Sequence, residues 1–283
     1  MVNRMIELYS QMNTNTKFQT VIPLSFAFFL ISALLFFNFQ DIFAQTPNST
    51  ESSNNNSTTN TLKPHGLVNF ASKEYQIRGH LNASIMNKET GNETLALAHA
   101  SHPVAEVYSL IERPVANANS TLNQTLYSSL LGLPQLVRNS TTEEYVRNVA
   151  SVANIVDQTS KEVIPQSYKN NATFHLMVIA NLLNVAAAEY QEAITNGTII
   201  AMVEYQDSQA FIRQAESLLH ASNAINLDVV SQTQILYPMF VSLNQKIDEV
   251  ASPEDVTAAT NKIIQQISLI TTVPVASFIG ITE

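Results

Sequence analysis

Residues His175 to Ala188 read HLMVIANLLNVAAA, a run in which only His175, Asn181 and Asn184 are polar. A helix that is apolar nearly all round has no face to offer water, so this stretch predicts the central helix of a bundle, from about Ala172 to Thr195. Outward from it, apolar residues recur at three- and four-residue spacing from about Phe70 onward, and period-two alternation is not sustained. The chain is therefore expected to be an all-α antiparallel bundle of about six to eight helices.

On the N-terminal side, helices are expected over about Ala71–Lys88, Glu93–Glu112 and Ser120–Val137, the first two joined by the turn Asn87–Asn92, NKETGN, into a hairpin. A fourth carries the stripe Tyr145, Val149, Val152, Val156 and Val163 and ends near Pro165. On the C-terminal side Gly197 breaks the chain. A helix over about Ile200–Asn223 follows, with Phe211, Ala215, Leu218 and Ser222 in line, and then a helical segment Asp228–Val250 kinked or broken at Pro238. Ser252 as N-cap, Pro253 at the first position and Asp255 at the third open the last helix, whose buried stripe is Val256, Ile263, Ile267 and Ile270.

The ends say where the chain resides. Val21 to Phe39, VIPLSFAFFLISALLFFNF, is an uncharged apolar run behind Arg4 and Lys17, and reads as a signal sequence cleaved near Ala44 or as a retained anchor. Gln45 to Asn60 is almost free of apolar residues and reads as a disordered tether. The expected organisation is a leader over 1–44, a polar glycosylated linker over 45–65, the bundle over 66–272 and a tail over 273–283. N-x-S/T sequons at Asn48, Asn55, Asn56, Asn82, Asn92, Asn119, Asn123, Asn139, Asn171 and Asn196 fit an exported glycoprotein, although a chain rich in Asn and Thr also makes such matches by composition. The placement is thus extracytoplasmic, anchored to the membrane or released at the cell surface.

Cysteine is absent, which removes disulfides, thiolate metal sites and a cysteine nucleophile. A net charge of −9 repels phosphate backbones and argues against nucleic acid as a partner. No two of the six glycines are close enough to cradle a phosphate, so no nucleotide is expected either. Without a G-x-S-x-G, H-E-x-x-H or C-x-x-C motif, enzymatic activity is not expected.

What remains is histidine and acid. In LALAHASHPVAEVYSLIE, residues 95–112, His99, His102 and Glu106 project within about 60° of one another if the helix runs through Pro103. With the hairpin turn centred near residues 89 and 90, the partner of His99 is His80. Imidazoles with a carboxylate suit iron, copper or zinc. The alternative is a solvated polar face, because the row points away from Leu97, Val104, Val107, Tyr108 and Ile111, and Pro103 can equally begin a new helix. Glu189, Glu192, Glu204 and Asp207 occupy two similar pieces, AEYQEA and VEYQDS. They read either as solvated helix ends or as paired carboxylates for a cation. His175 reads as a hydrogen-bonded core histidine.

Leu183 to Phe211, LNVAAAEYQEAITNGTIIAMVEYQDSQAF, resembles without gaps the L-D-Y-I-A-x-D-Y-x-x-A-V-x-x-G-x-V-x-x-x-E-Y-x-E-M-x-E-F stretch of the extracytoplasmic helical domain of Ftr-type high-affinity iron permeases. Tyr190, Ala193, Gly197, Glu204, Tyr205 and Phe211 match as they stand, and Glu189 and Asp207 exchange acid for acid. Asn184, Val185 and Ser208 stand where the family has Asp, Tyr and Met. GHLNASIMNKETGNETLALAHASHP, residues 79–103, also looks like a helical hairpin of such domains.

The permease's membrane helices and their R-E-x-x-E motifs are not found, so the resemblance implies a free-standing relative of the accessory domain. It implies a protein that binds or relays a metal ion, iron before copper or zinc, for a membrane permease or another transporter. The candidate ligands are His80, His99, His102, Glu106, Glu189, Glu204 and Asp207. The rival expectation is a glycosylated structural, interaction or sensor bundle without metal.

Overall fold

Proline at the first helical position costs no hydrogen bond, and Pro64 opens helix α1 (Pro64–Glu89) there, ahead of the expected Ala71. The structure, a computed structural model, describes residues 62–225 and 229–277; the leader, the tether, residues 226–228 and the end of the tail lie outside the described residues. The rest is an all-α bundle, as the spacing predicts. α1 is followed by α2 (Glu93–His102), a π-helical turn (Pro103–Val107), α3 (Tyr108–Ala118), α4 (Ser120–Asn139) and α5 (Thr142–Val163). A single turn, α6 (Gln166–Lys169), leads to α7 (Ala172–Ala193), α8 (Met202–Ile225), the turn α9 (Val230–Thr233), α10 (Leu236–Asp248) and α11 (Pro253–Thr271).

The starts of these helices are written in side chains. Asn92, Asn119 and Asn171 accept from the backbone N–H of Leu95, Leu122 and Phe174, so three of the sequon asparagines also serve as N-caps. Thr141 and Glu144 form a reciprocal capping box, and Ser252 accepts from the N–H of Asp255 as its sequence predicts. Between α7 and α8 the break at Gly197 is a two-residue β-hairpin, Ile194–Thr195 pairing antiparallel with Thr198–Ile199. Asn196 and Gly197 both have positive φ, 52° and 69°, which is what an Asn-Gly hairpin turn requires. Pro238 does not break its segment. It sits in the first turn of α10, where its missing N–H is not needed, and the interruption falls before Leu236.

α7 is long and apolar enough to cross a membrane by length and composition, but it is packed as a core helix against α8, α11 and α1. Phe174, Leu176, Val178, Ile179, Leu182, Leu183, Ala186 and Tyr190 are all buried. Each such side chain of Leu or Ile size contributes about 1.5–3 kcal/mol. A second central helix was not evident from hydropathy: α1 is covered by α2, α5, α7 and α8, and buries Ser72, Glu74, Gln76, His80, Ser84 and Asn87 along with its apolar residues. α1 thus joins the C-terminal helices to the N-terminal group α2–α5, and its buried polar residues face both.

Candidate metal centre

Burying a polar side chain without a partner costs about 1–3 kcal/mol, so a cluster of buried histidines has to find acceptors. His80 on α1 and His99 and His102 on α2 are 1%, 0% and 4% exposed, and all three turn Nδ1 toward one carboxylate, that of Asp207 on α8. Asp207 Oδ1 lies 2.7 Å from His80 Nδ1 and 3.0 Å from His99 Nδ1, and Oδ2 lies 3.1 Å from His102 Nδ1. Asp207 is itself 1% exposed. One ligating atom from each of the four falls within 4.8 Å of the others.

Three local features bring these side chains together. The first is the hairpin, whose tight turn sets His80 opposite His99 with ring centroids 6.5 Å apart, the pairing that the turn position predicts. The second is the π turn. Proline cannot donate the next helical bond, and the chain continues with the N–H of Tyr108 donating to the Pro103 carbonyl, five residues back. The helix therefore does run through Pro103, and Glu106 on that turn is carried beside the imidazoles: Oε1 is 3.6 Å from His102 Nε2 and Oε2 is 3.9 Å from His80 Nε2.

The third feature is Gly79. A Cβ at that position would stand 2.7 Å from Phe211 Cδ1, so glycine lets the Phe211 ring lie against α1. There the ring meets His80 edge-on at 5.1 Å. Gln206, the neighbour of Asp207 on α8, completes the surroundings, with its Oε1 2.8 Å from His99 Nε2 and 2.8 Å from Asn87 Nδ2.

The electrostatics follow the geometry. Burial works against the Asp207 carboxylate, but the charge of His80 and the hydrogen bonds from His102, His80 and His99 hold it well below the usual carboxylate range. Burial likewise works against a charged His102, yet the hydrogen bond to Asp207 and the negative charge of Glu106, Asp207 and Glu204 push it up to about 9. Glu189 is raised well above its ordinary value by burial and by repulsion from Asp207, Glu106 and Glu192. The half-buried Lys73 is lowered by burial, partly offset by attraction to Glu189 and Glu106.

The expected site residues thus fall into two tiers. His80, His99, His102 and Asp207 form the inner cluster. Glu106 borders it with a side chain 44% exposed, Glu204 acts on His102 through its charge, and Glu189 is raised by burial and by the charge of Asp207 and Glu106. The solvated face considered for His99 and His102 is not what forms, because the small Ala96 and Ala100 let α2 approach its neighbours and carry both rings inside. Asp207 is not a solvated helix-end acid either. Sequence reasoning set it with Glu189 and Glu204 rather than with the histidines, and it missed Gln206, Asn87 and Lys73 altogether. His175 is a buried, hydrogen-bonded histidine as expected, bonded to the Lys169 backbone although its Nδ1 has no partner, and burial lowers its pKa.

The donor set, three imidazoles and a carboxylate drawn from three helices, fits a transition-metal ion. Comparison with curated proteins and with solved structures finds no match. Residues 165–274, less than half of the chain, match the family model described as the iron permease-associated 4-helix bundle domain. That segment runs from α6 through α11 and contains Glu189, Glu204 and Asp207, while His80, His99, His102 and Glu106 lie ahead of it. The match links the C-terminal helices to an iron permease-associated domain.

Proposed function

We propose that this protein binds a transition-metal ion, iron, on the outer side of a membrane and holds or relays it for a membrane iron permease. The observation that carries the reading is the convergence of His80, His99, His102 and Asp207 in the interior, beside the acids Glu106, Glu189 and Glu204. Buried histidines gathered on one carboxylate are costly to maintain, and a cation would also relieve the repulsion from Asp207 and Glu106 that adds to the effect of burial on Glu189. The family match favours iron over copper or zinc and a permease as partner, and the apolar Val21–Phe39 run favours a location at the outer side of a membrane.

A second reading has an observation of its own. Asp207 already accepts from three imidazoles, so the cluster can also serve as a closed polar network that fixes how α1, α2 and α8 pack in a surface interaction bundle. Elemental analysis of the full chain, purified from cells supplied with iron, separates the two. Iron retained by the wild type and lost in His80→Ala and His102→Ala supports the metal reading, and a metal-free wild type supports the network.

A further inference from the structure

We infer that the ion is held by Nε2 of His80, Nε2 of His102 and the Glu106 carboxylate, and that Asp207 positions the two rings from behind without touching the ion. This rests on the metal reading above and specifies its chemistry. The argument begins with the protons. A carboxylate only accepts, so three imidazole nitrogens at 2.7, 3.0 and 3.1 Å from the Asp207 oxygens each present an N–H to it. With the Nδ1 proton held by Asp207, Nε2 is the nitrogen that can give up its proton to solvent and take a metal ion in its place. Metal-bound histidines commonly give their other ring N–H to a carboxylate, which fixes the tautomer and the orientation of the ring.

The Nε2 atoms of His80 and His102 are turned toward Glu106, at 3.9 and 3.6 Å from its two oxygens. Ligands about 2.0–2.2 Å from one ion lie about 3.0–3.4 Å apart, so a small movement of the Glu106 side chain closes the set. Glu106 can make that movement, since it stands on the π turn with a side chain 44% exposed. His99 plays a different part. Its Nδ1 faces Asp207 and its Nε2 faces Gln206 Oε1 at 2.8 Å, so both nitrogens are engaged in holding α1, α2 and α8 together.

The result is two histidines and one carboxylate, a set that leaves further coordination positions unfilled by these three residues. Such a donor set suits ferrous iron and leaves room for water or an incoming ligand. A site of this kind exchanges its ion more readily than a closed cage of four buried ligands.

The test is long-range proton–nitrogen correlation NMR on the full chain, labelled with nitrogen-15 at histidine and loaded with zinc(II) as a diamagnetic probe. His80 and His102 are expected to show metal on Nε2 and a proton on Nδ1, with His99 metal-free. Glu106→Gln should weaken zinc binding about tenfold or more, with circular dichroism showing that the metal-free variant remains helical. Asp207→Asn should weaken it by about 10–100-fold, with the loss of the Nδ1–H pattern. Metal on Nδ1 of His80 and His102, or unchanged affinity in Glu106→Gln, overturns the assignment while leaving the metal reading intact. A wild-type chain that binds no zinc overturns both.

Discussion

His80 and Asp207, 127 residues apart in the chain, meet inside the protein at 2.7 Å between Nδ1 and Oδ1. His99 reaches the same oxygen at 3.0 Å, so one carboxylate on α8 closes the histidine hairpin formed by α1 and α2. The segment matched to the iron permease-associated domain contributes the acid, and the helices ahead of it contribute the imidazoles.

Removing that acid should be expensive. In Asp207→Ala, three buried imidazoles lose their common acceptor and the positive charge near His102 loses its closest partner. The expected destabilisation is about 3–5 kcal/mol, read by urea unfolding of the metal-free chain.

Glu74, buried on α1, gives the fold a pH dependence of its own. Burial pushes its carboxyl from 4.5 up to about 8, against the lowering effects of hydrogen bonding from Thr159 and Ser160. The Thr159 hydroxyl lies 2.7 Å from Glu74 Oε1 and 2.7 Å from the Val156 carbonyl; it has one proton, and once that goes to Val156 a neutral Glu74 can donate to the hydroxyl oxygen. A raised folded-state value means that the contribution is fully present below pH 4.5 and is lost as pH rises to about 8, because only the unfolded chain ionises in that window. Stability should therefore fall across this range by an amount on the order of a few kcal/mol. Glu74→Gln should flatten that slope, and chemical denaturation at pH 5, 6.5 and 8 measures it; an identical slope in the variant would count against a neutral Glu74.

Gly79 and Gly132 should respond oppositely to alanine. At Gly79 the added Cβ would meet the Phe211 ring at 2.7 and 2.9 Å, and that ring supports His80. Gly79→Ala should cost about 1–3 kcal/mol. Gly132, inside α4, has nothing within 4 Å of such a Cβ, and Gly132→Ala should stabilise by about 0.5–1 kcal/mol through helix propensity and the entropy of the unfolded chain. Thermal unfolding of the two variants side by side checks both signs.

Local pattern made much of this fold readable. The 3.6-residue period, the Asn, Thr and Ser caps and the near-featureless apolar run of α7 each act within a turn or two of helix, so the sequence carries them directly. The meeting of His80 and His99 was readable for the same reason, since a tight turn fixes which residues face each other. Asp207 was not assigned to the histidines because nothing local links α8 to the first hairpin; that contact depends on how whole helices pack, with Gly79 admitting Phe211. Pro103 left two courses open, and the π turn that decides between them depends on a single backbone bond from Tyr108. The hairpin at Asn196–Gly197 did have a local signal in its Asn-Gly pair, obscured by strands of two residues each.

The central claim is that the histidine cluster takes a metal ion, and anaerobic calorimetric titration of the full chain with iron(II) tests it most directly. The account predicts saturable, tight binding of one ion per chain in the wild type and its loss in the double variant His80→Ala/His102→Ala, with circular dichroism confirming that the variant remains helical. A wild type that gives no binding heat, or a folded double variant that binds as well as the wild type, would contradict it.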